Sequence, residues 1–409
     1  MNMNVKKMKA LWLAPYPLNR IRNIPVKYRQ RGEHPCTWIV TLSDALSRLP
    51  EVELHIITQR SNIAAPFHCF QDNIHFHFLK TGSTLPFLPI GYSWILPYDV
   101  FTGFKKDRKM LLKKIREINP DIIHVHGTET PYAISAVESG YPHLISLQGI
   151  ISRLVELNPS YRNKKLAMLE KEVIRRGENF VAKTDFIQRL VQEMNPTAII
   201  YPIDNIVNPA FFRVSRNGIA QKRIVFAGSI SPAKGAKETL LAFAEFSNEF
   251  PDYQLDLIGG GSPQYISELK AVASTYNISD KIHWHGFITH QQMAEVFSKA
   301  KILVFPSQMD TSPNIVAEAM VSGLPVIATR VGGIPDMISH NQTGYLIEKP
   351  DHRLIYAALK TVLENDDLYR QISEKARSTA RLRFSEAYNV EKVLTAYQEI
   401  LQRNIVKPC

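Results

Sequence analysis

Two acidic side chains, Asp310 and Glu318, stand eight positions apart around a polar turn. The turn follows residues 302–305, an apolar run typical of a buried parallel strand, and leads into the helix-like run 315–320. A helix N-terminus after a strand offers free backbone N–H groups that bind phosphate. Carboxylates at both ends would accept hydrogen bonds from hydroxyls, so the pattern favours a nucleotide sugar. The alternative is an ordinary strand–loop–helix unit whose acids are only solvated.

The chain continues in an ordered way after this helix. Gly323 and Pro325 are typical of a helix end, and residues 324–329 form a second apolar run that predicts a buried strand. Residues 331–336 then read Val-Gly-Gly-Ile-Pro-Asp. The series of an acid, seven residues, Glu-Ala-Met, Gly-x-Pro-Val and Gly-Gly-x-Pro-Asp resembles the donor-binding signature of retaining glycosyltransferases of family four. Asp310 departs from that signature, because the family usually has Glu there.

The resemblance implies the GT-B fold, in which two doubly wound, Rossmann-like α/β domains face each other across a cleft. It implies a sugar transfer from a nucleoside diphosphate donor with retention at the anomeric carbon. It also implies that neither a metal ion nor a separate cofactor takes part. The mechanism favoured by the family is departure and attack on one face, without a covalent intermediate. The likeness is strong between residues 223 and 350, and the first half of the chain shares only the layout.

A second phosphate-binding element is expected at the start of the second domain. A predicted strand is followed there by Gly228 and Ser229 and then by Lys234. Family four has Gly-Arg, four residues and Lys-Gly at this point, and its Arg and Lys contact the donor diphosphate. Lys234 is present, whereas Ser229 occupies the Arg position. A charge-assisted hydrogen bond contributes about 1.5–3 kcal/mol, so we expect another cation to compensate, either Arg330 or an arginine of the loop 15–37.

The resemblance assigns catalytic roles to three side chains. Lys234 would neutralise the departing diphosphate, Glu318 would accept hydrogen bonds from the ribose diol, and Asp310 would hold hydroxyls of the donor sugar. Because Asp is one methylene shorter than Glu, Asp310 is expected to alter the sugar preference. The donor-binding residues implied in this way are Gly228, Ser229, Lys234, Gly259, Gly260, Phe287, Asp310, Asn314, Ile315 and Glu318.

Strand ends also place polar residues in the first half of the chain. His126 and Gln148 each lie at the end of a predicted strand, and the carboxyl ends of strands face the ligand in open α/β sheets. We therefore expect both to line the acceptor side of the cleft. Gly32 lies in a long basic loop, where the family often has a Gly-Gly pair. The family commonly has His at the position of Gln148, and Gln can hydrogen-bond a hydroxyl but cannot shuttle a proton.

No metal site is predicted. The pairs His124/His126 and His283/His285 each have the spacing that places two side chains on one face of a strand, as metal chelation requires. The sequence supplies no carboxylate or Cys that would complete either set. The family resemblance likewise implies catalysis without metal.

Length and composition indicate a soluble globular protein of two domains, with 409 residues, 45% hydrophobic and 21% charged. Cys36, Cys69 and Cys409 are far apart, which argues against a disulfide framework and for a reducing compartment. No signal peptide is evident, and no run reaches the ~18 apolar residues of a membrane-spanning helix. A cytoplasmic location is therefore expected.

The net charge of +11 favours an anionic partner. Basic residues concentrate in a predicted helix at 105–116, and an aromatic, proline-broken stretch at 85–96 lies just before it. This combination predicts peripheral contact with the anionic inner face of a membrane. The alternative is a helix with a solvated basic face. Nucleic acid is not expected as a partner, because no recognised binding motif accompanies the charge.

We predict an acceptor-binding domain at 1–205, a nucleotide-sugar-binding domain at 206–383 and a helix at 384–409 that crosses back to the first domain. The acceptor is expected to be a glycan or a lipid-linked molecule of surface polysaccharide synthesis. Two alternatives stay open. One is a non-hydrolysing nucleotide-sugar epimerase of the same fold, which would convert the donor alone. The other is a catalytically silent binding protein, because Ser229 and Gln148 depart from the family pattern.

Overall fold

The computed structural model describes residues 7–22, 24, 37–61, 63–81, 98–157, 159–216 and 221–406. The chain forms two compact units, one made of residues 1–204 and 389–409 and the other of residues 205–388. Each unit contains one sheet of mostly parallel strands, connected by helices. The predicted fold class, two doubly wound α/β domains, is confirmed.

The first unit is built on an eight-stranded sheet. Its strands are β1 (Met8–Leu13), β2 (Val52–Arg60), β3 (Phe67–Gln71), β4 (Ile74–Lys80), β5 (Ile122–His126), β6 (His143–Ser146), β7 (Asn179–Val181) and β8 (Ile199–Tyr201). Its helices are α1 (Thr37–Leu46), α2 (Tyr98–Phe101), α3 (Lys105–Ile118), α4 (Tyr132–Ser139), α5 (Ile151–Leu157), α6 (Tyr161–Arg176) and α7 (Asp185–Met194). The strand order is β3-β4-β2-β1-β5-β6-β7-β8, so the chain changes direction across the sheet between β1 and β5.

The hairpin β3–β4 was not predicted, and it is the antiparallel pair of this sheet. Its two-residue turn is Asp72-Asn73, and both residues have positive φ, 51° and 60°. A type I′ turn requires this backbone, and Asp and Asn tolerate it better than most residues. The turn joins β3 to β4, in which histidines alternate with phenylalanines, and this alternation in β4 was the signal for a strand.

The second unit is built on a six-stranded sheet. Its strands are β9 (Arg223–Ala227), β10 (Gln254–Ile258), β11 (Ile282–Gly286), β12 (Ile302–Phe305), β13 (Val326–Thr329) and β14 (Tyr345–Ile347). Its helices are α8 (Pro209–Phe212), α9 (Ala236–Glu249), α10 (Pro263–Thr275), α11 (His290–Lys299), α12 (Asn314–Ser322), α13 (His352–Leu363) and α14 (Asp366–Arg383). The order β11-β10-β9-β12-β13-β14 reverses between β9 and β12, and all pairs are parallel.

The short apolar strands of this unit are buried on both faces. In β12, Ile302 and Val304 pack into one hydrophobic cluster, while Leu303 and Phe305 pack into the cluster on the other side of the sheet. Strand geometry sends successive side chains to opposite faces, so a continuous apolar run is what a sheet covered by helices on both sides requires. The buried-strand prediction for residues 302–305 is confirmed.

The last helix, α15 (Glu386–Val406), starts in the second unit, and its residues from Asn389 onward belong to the first. Within the first unit, the buried hydroxyl of Tyr397 accepts a hydrogen bond from Trp12 Nε1 at 2.9 Å and lies 2.7 Å from His124 Nδ1. These bonds tie the chain terminus to β1 and β5, so α15 is an integral part of the first unit.

The predicted basic helix corresponds to α3, and its apolar residues Leu111, Ile115 and Ile118 are buried. Several of its basic residues, including Lys105 and Lys109, are exposed. The aromatic stretch 85–96 lies outside the described residues. Within the described part of the chain, no helix combines the length and apolarity needed to span a bilayer.

Candidate functional site

The second sheet has its switch point between β9 and β12, where strand order reverses. Ligands of doubly wound folds bind beside the carboxyl ends of the strands at this point. Lys234 lies in the loop after β9 and Asp310 in the loop after β12. The two residues therefore flank the position where this fold places a ligand.

The structure brings these two side chains into direct contact. Lys234 Nζ donates a hydrogen bond to Asp310 Oδ2 at 2.6 Å, and it lies 5.6 Å from the centroid of the Phe305 ring. Both side chains keep some exposure, 27% for Lys234 and 16% for Asp310. A ligand can therefore reach both groups without unfolding the loops.

The loops that carry Lys234 and Asp310 are packed backbone to backbone. Gln308 N donates to Ala233 O at 2.9 Å. Gly235 adopts a φ of +73°, and a Cβ at that position would lie 2.3 Å from the carbonyl oxygen of Pro306. Only glycine combines this backbone conformation with so close an approach. The Lys-Gly pair is therefore a structural requirement for placing the lysine beside the β12 loop.

Helix α12 presents its N-terminus at the same edge. It begins at Asn314, and Pro313 at the N-cap position supplies no capping side chain. The first backbone N–H groups of a helix have no partner within the helix, and they carry the positive end of its dipole. The side chain of Asn314 is oriented by Asn205, whose Nδ2 donates to Asn314 Oδ1 at 2.9 Å. The N–H groups of Asn314 and Ile315 therefore stay the predicted anion site of this loop.

Glu318 lies one turn further along α12. Its side chain is 12% exposed, and its Oε1 lies 3.7 Å from Nε2 of His290, at the start of α11. The ring of His290 in turn lies edge-on to Phe211, with centroids 5.7 Å apart. Glu318 is therefore a largely buried carboxylate beside an imidazole, unlike the solvated acid of the alternative reading.

The remaining donor-site predictions lie in loops after neighbouring strands. Gly259 has a φ of +127°, and a Cβ there would lie 1.8 Å from the carbonyl oxygen of Gly228. Gly260 is covered by the ring of Phe287, which would lie 2.4 Å from an added Cβ, and Phe287 itself is 80% exposed. Ser229 is exposed. These loops all lie at one edge of the second sheet, and the exposed ring of Phe287 lies beside them.

The cation that would replace the family arginine is still not identified. Arg330 pairs with Glu348 at 2.8 Å. In the loop after β1, Arg20 pairs with Asp44 and Arg22 pairs with Asp72. The other basic residues of that loop and Gly32 lie outside the described residues. Each of these three arginines thus has a carboxylate partner of its own, and the replacement stays a hypothesis.

In the first unit, Gln148 contacts a lysine that sequence reasoning did not select. Lys183, which follows β7 and is 5% exposed, donates from Nζ to Gln148 Oε1 at 2.5 Å. This contact fixes the orientation of the Gln148 amide oxygen. Lys183 lies just before Thr184, whose side chain caps α7 by accepting from the Ile187 N–H. A lysine directly after the apolar run 180–182 was the available signal.

Glu129 is the second residue missed, and it lies between the ends of β5 and β6. Glu129 Oε2 lies 2.3 Å from the position that a Cβ on Gly127 would occupy. Glu129 Oε1 lies 3.4 Å from the position that a Cβ on Gly149 would occupy. Burial raises the pKa of Glu129, and the charge of Glu170 raises it further, while Lys183 lowers it. Glu129 is thus a partly exposed acid whose pKa is raised, within electrostatic reach of a lysine.

His126 ends β5 and is only 4% exposed. Its ring stacks on His124 with centroids 4.3 Å apart and lies 4.5 Å from the Trp12 ring. Among the described residues, neither of its ring nitrogens has a hydrogen-bond partner. Burial holds its pKa well below the usual range, and the neighbouring His124 and Lys183 lower it further. Its surroundings therefore favour the neutral form of the imidazole, and its contact with a ligand stays a prediction.

Three members of the His-x-His pairs, His124, His283 and His285, contact polar groups of the protein. Both ring nitrogens of His124 lie 2.7 Å from hydroxyls, those of Tyr397 and Ser146. The expectation that no carboxylate accompanies His283/His285 is wrong, because His285 Nε2 lies 2.6 Å from Asp256 Oδ1. Asp256 was overlooked because β10 and β11 are distant in sequence. It is also bound by the guanidinium of Arg223 at 2.5 and 2.7 Å, so a cation already neutralises it.

Comparison with known proteins identifies two family models that together span most of the chain. The model described as Glycosyltransferase Family 4 matches residues 37–211, and the one described as Glycosyl transferases group 1 matches residues 209–379. A curated relative is the N-acetyl-alpha-D-glucosaminyl L-malate synthase of Bacillus anthracis, 24% identical over 86% of this chain and 90% of its own length. An uncharacterized glycosyltransferase of Haemophilus influenzae is 27% identical over 79% of this chain and 90% of its own.

Solved structures share the fold over nearly the whole chain. Sucrose-phosphate synthase of Thermosynechococcus elongatus superposes with a TM-score of 0.75 and 18% identity, covering 97% of this chain and 100% of its own. HepE of Anabaena, in complex with UDP and glucose, gives a TM-score of 0.68 and 17% identity, covering 97% and 99%. At these identities the likeness concerns the fold alone, and it establishes the two-unit GT-B architecture.

Proposed function

The chain belongs to the GT-B glycosyltransferases described by the family 4 and group 1 models, and we propose that it moves a sugar from a nucleoside diphosphate donor to a glycan or lipid-linked acceptor with retention at the anomeric carbon. The observation that carries this proposal is the convergence of Lys234, Asp310, Glu318 and the N-terminus of α12 at the switch point of the second sheet. A nucleotide sugar has the phosphates and hydroxyls that this set would bind.

Each group takes the part of the donor that its chemistry fits. Lys234 and the N–H groups of Asn314 and Ile315 bind the diphosphate and stabilise the negative charge that grows as it leaves. Glu318 accepts hydrogen bonds from the ribose diol, and its low exposure strengthens them. Asp310 is ion-paired to Lys234 before the donor arrives. When the donor phosphates bind the Lys234 ammonium, its ion pair with Asp310 breaks. The Asp310 carboxylate then accepts hydrogen bonds from the donor sugar.

The first unit supplies the acceptor side in this proposal. Gln148, whose amide oxygen accepts from Lys183, and Glu129, an acid with a raised pKa, are the groups assigned to it. Both groups hydrogen-bond hydroxyls without covalent chemistry. Contact with an anionic membrane surface, and with it a cytoplasmic location, belongs to the proposal as well. The exposed basic face of α3 supports that contact.

Donor turnover tests the proposal directly. The purified chain is screened by thermal shift against nucleoside diphosphate sugars, beginning with UDP-glucose, because the structurally similar HepE was crystallised with it. A stabilising donor is then incubated with and without a cell-extract acceptor fraction. We expect acceptor-dependent transfer with retained anomeric configuration. Conversion of the donor alone would indicate an epimerase, which the named relatives do not favour, and binding without turnover would indicate a silent homologue.

The length of residue 310 is expected to affect sugar selection. Asp310→Glu should change the relative affinity of two donors that differ only in one hydroxyl by about 3- to 10-fold, the contribution of one hydrogen bond. The affinity for the free nucleoside diphosphate should stay within about 2-fold, because the substitution keeps the charge that pairs with Lys234. Calorimetric titration of both donors and of the diphosphate measures this. Equal changes for all three ligands would place residue 310 away from the sugar.

A further inference from the structure

Four histidines and a glutamate gather on one face of the first sheet, away from the sites described above. Glu53 and His55 lie on β2, His75 and His77 on β4, and His68 on β3. The register pairs His55 with His75 across the parallel strands, and His77 with His68 across the hairpin. Side chains two apart in a strand share a face, so the pairing brings all five groups together.

The nitrogen and oxygen atoms of this cluster are close enough to share an ion. His55 Nε2 lies 2.8 Å from Glu53 Oε1, and the ligand atoms of Glu53, His55 and His75 lie within 4.8 Å of one another. Zinc binds nitrogen and oxygen at about 2.0–2.2 Å in tetrahedral geometry, which separates neighbouring ligand atoms by about 3.4 Å. The observed separations bracket that value, so rotamer adjustment would be enough to surround an ion.

The cluster also contains the outer contacts that orient metal-binding histidines. The second ring nitrogen of His55, Nδ1, lies 3.0 Å from His77 Nε2, and His75 Nδ1 lies 3.4 Å from His68 Nε2. Metal-ligating histidines commonly donate their other N–H to a partner that fixes the ring. The ring planes of His55 and His75 are nearly parallel, 13° apart with centroids at 4.5 Å. The two rings are therefore held next to each other, and rotation of one of them would bring both lone pairs to one ion.

We propose that Glu53, His55 and His75 form a binding site for Zn²⁺ or a chemically similar divalent transition-metal ion, with His77 and His68 as the groups that orient the ligand rings. Imidazole and carboxylate ligands suit Zn²⁺, whereas Mg²⁺ requires an octahedral set of oxygen atoms. Cys69 takes no part, since it alternates with His68 and Phe70 along β3 and so lies on the other face.

The location assigns this ion a structural role. His55 lies five residues before the end of β2, which places it about 16 Å from the carboxyl edge of the sheet. His126 and Gln148 lie at that edge, so the ion is remote from the proposed acceptor groups. It would link β2 to β4, the strand that holds the outer hairpin in the sheet. The proposal is therefore independent of whether sugar transfer needs metal.

Metal binding is tested on the full-length chain without a histidine tag, after chelator treatment. Equilibrium dialysis against Zn²⁺ should give one ion per chain, and Mg²⁺ should not compete. The Co²⁺-loaded chain should show the visible absorption bands of a low-coordinate site. At ~100-fold excess over its dissociation constant, Zn²⁺ should raise Tm by about 5 °C, because it binds only the folded state.

Variants locate the site. Glu53→Gln and His75→Gln change half-exposed residues, so the fold should persist, and each should weaken Zn²⁺ binding by at least ~10-fold. The matched control is His283→Gln, from a His-x-His pair whose ring contacts Gln254 in the second unit. It should bind as the unaltered chain does. Substoichiometric binding by the unaltered chain, or the same affinity in all variants, would overturn the proposal and leave the histidines as packing groups only.

Discussion

Replacement of Lys234 by Ala is expected to lower kcat for sugar transfer by about 10³-fold, the larger end of the loss seen when one group that stabilises developing charge is removed. The ammonium lies between the loops of β9 and β12, 2.6 Å from Asp310, where a departing diphosphate would meet it. No arginine stands at position 229 to share the charge, so the loss should be larger than in an enzyme with both cations. Steady-state kinetics at saturating donor measure it.

The control for this experiment is Lys237→Ala. Lys237 is exposed in the first turn of α9, three residues from Lys234, and it changes the net charge by the same amount. We expect it to keep nearly full activity. The Lys234→Arg variant should recover part of the rate, since it retains the charge but not the shape. If Lys234→Ala and Lys237→Ala reduce kcat equally, Lys234 acts only through the general field of the unit and not on the leaving group.

Replacement of Glu318 by Ala is expected to weaken donor binding by roughly 10- to 100-fold, from one or two lost charge-assisted hydrogen bonds. Glu318 is the largely buried carboxylate of α12, and its environment near His290 gives it little water to compete with a ribose hydroxyl. Calorimetric titration of the nucleoside diphosphate measures the change. The matched control is Glu295→Ala on α11, which removes an exposed acid of the same length.

The ribose assignment can be separated from a general effect of charge. The unaltered chain should bind a 2′-deoxy nucleoside diphosphate more weakly than the ribo form, and Glu318→Ala should bind the two almost equally. A variant that weakens both ligands and still discriminates between them would show that Glu318 does not contact the diol. His290→Gln would then be the next substitution to examine, because its ring faces the same carboxylate.

Much of the second unit could be predicted from local sequence. Strands such as residues 302–305 are continuous apolar runs because both faces are covered, and Gly323 ends α12 in the left-handed conformation that glycine adopts without strain. The acid, turn and helix start lie within nine consecutive positions, Asp310 to Glu318. Nearly all the information needed to place them is therefore in one stretch of chain.

The residues that were missed depend on contacts between distant segments. Lys183 meets Gln148 because β6 and β7 are neighbours in the sheet, although 35 residues separate them. Asp256 meets His285 for the same reason across β10 and β11. The histidine cluster requires the register of β2, β3 and β4 to be known, since a shift of one residue would send every side chain to the opposite face. Sequence spacing alone does not contain this register.

A crystal structure of the chain with a bound nucleoside diphosphate sugar tests the central claim most directly. We expect the diphosphate within about 3 Å of Lys234 Nζ and of the first N–H groups of α12, with the ribose hydroxyls on Glu318 and the sugar against Asp310. A donor bound at another place, with the loop between β12 and α12 contacting only solvent, would contradict it.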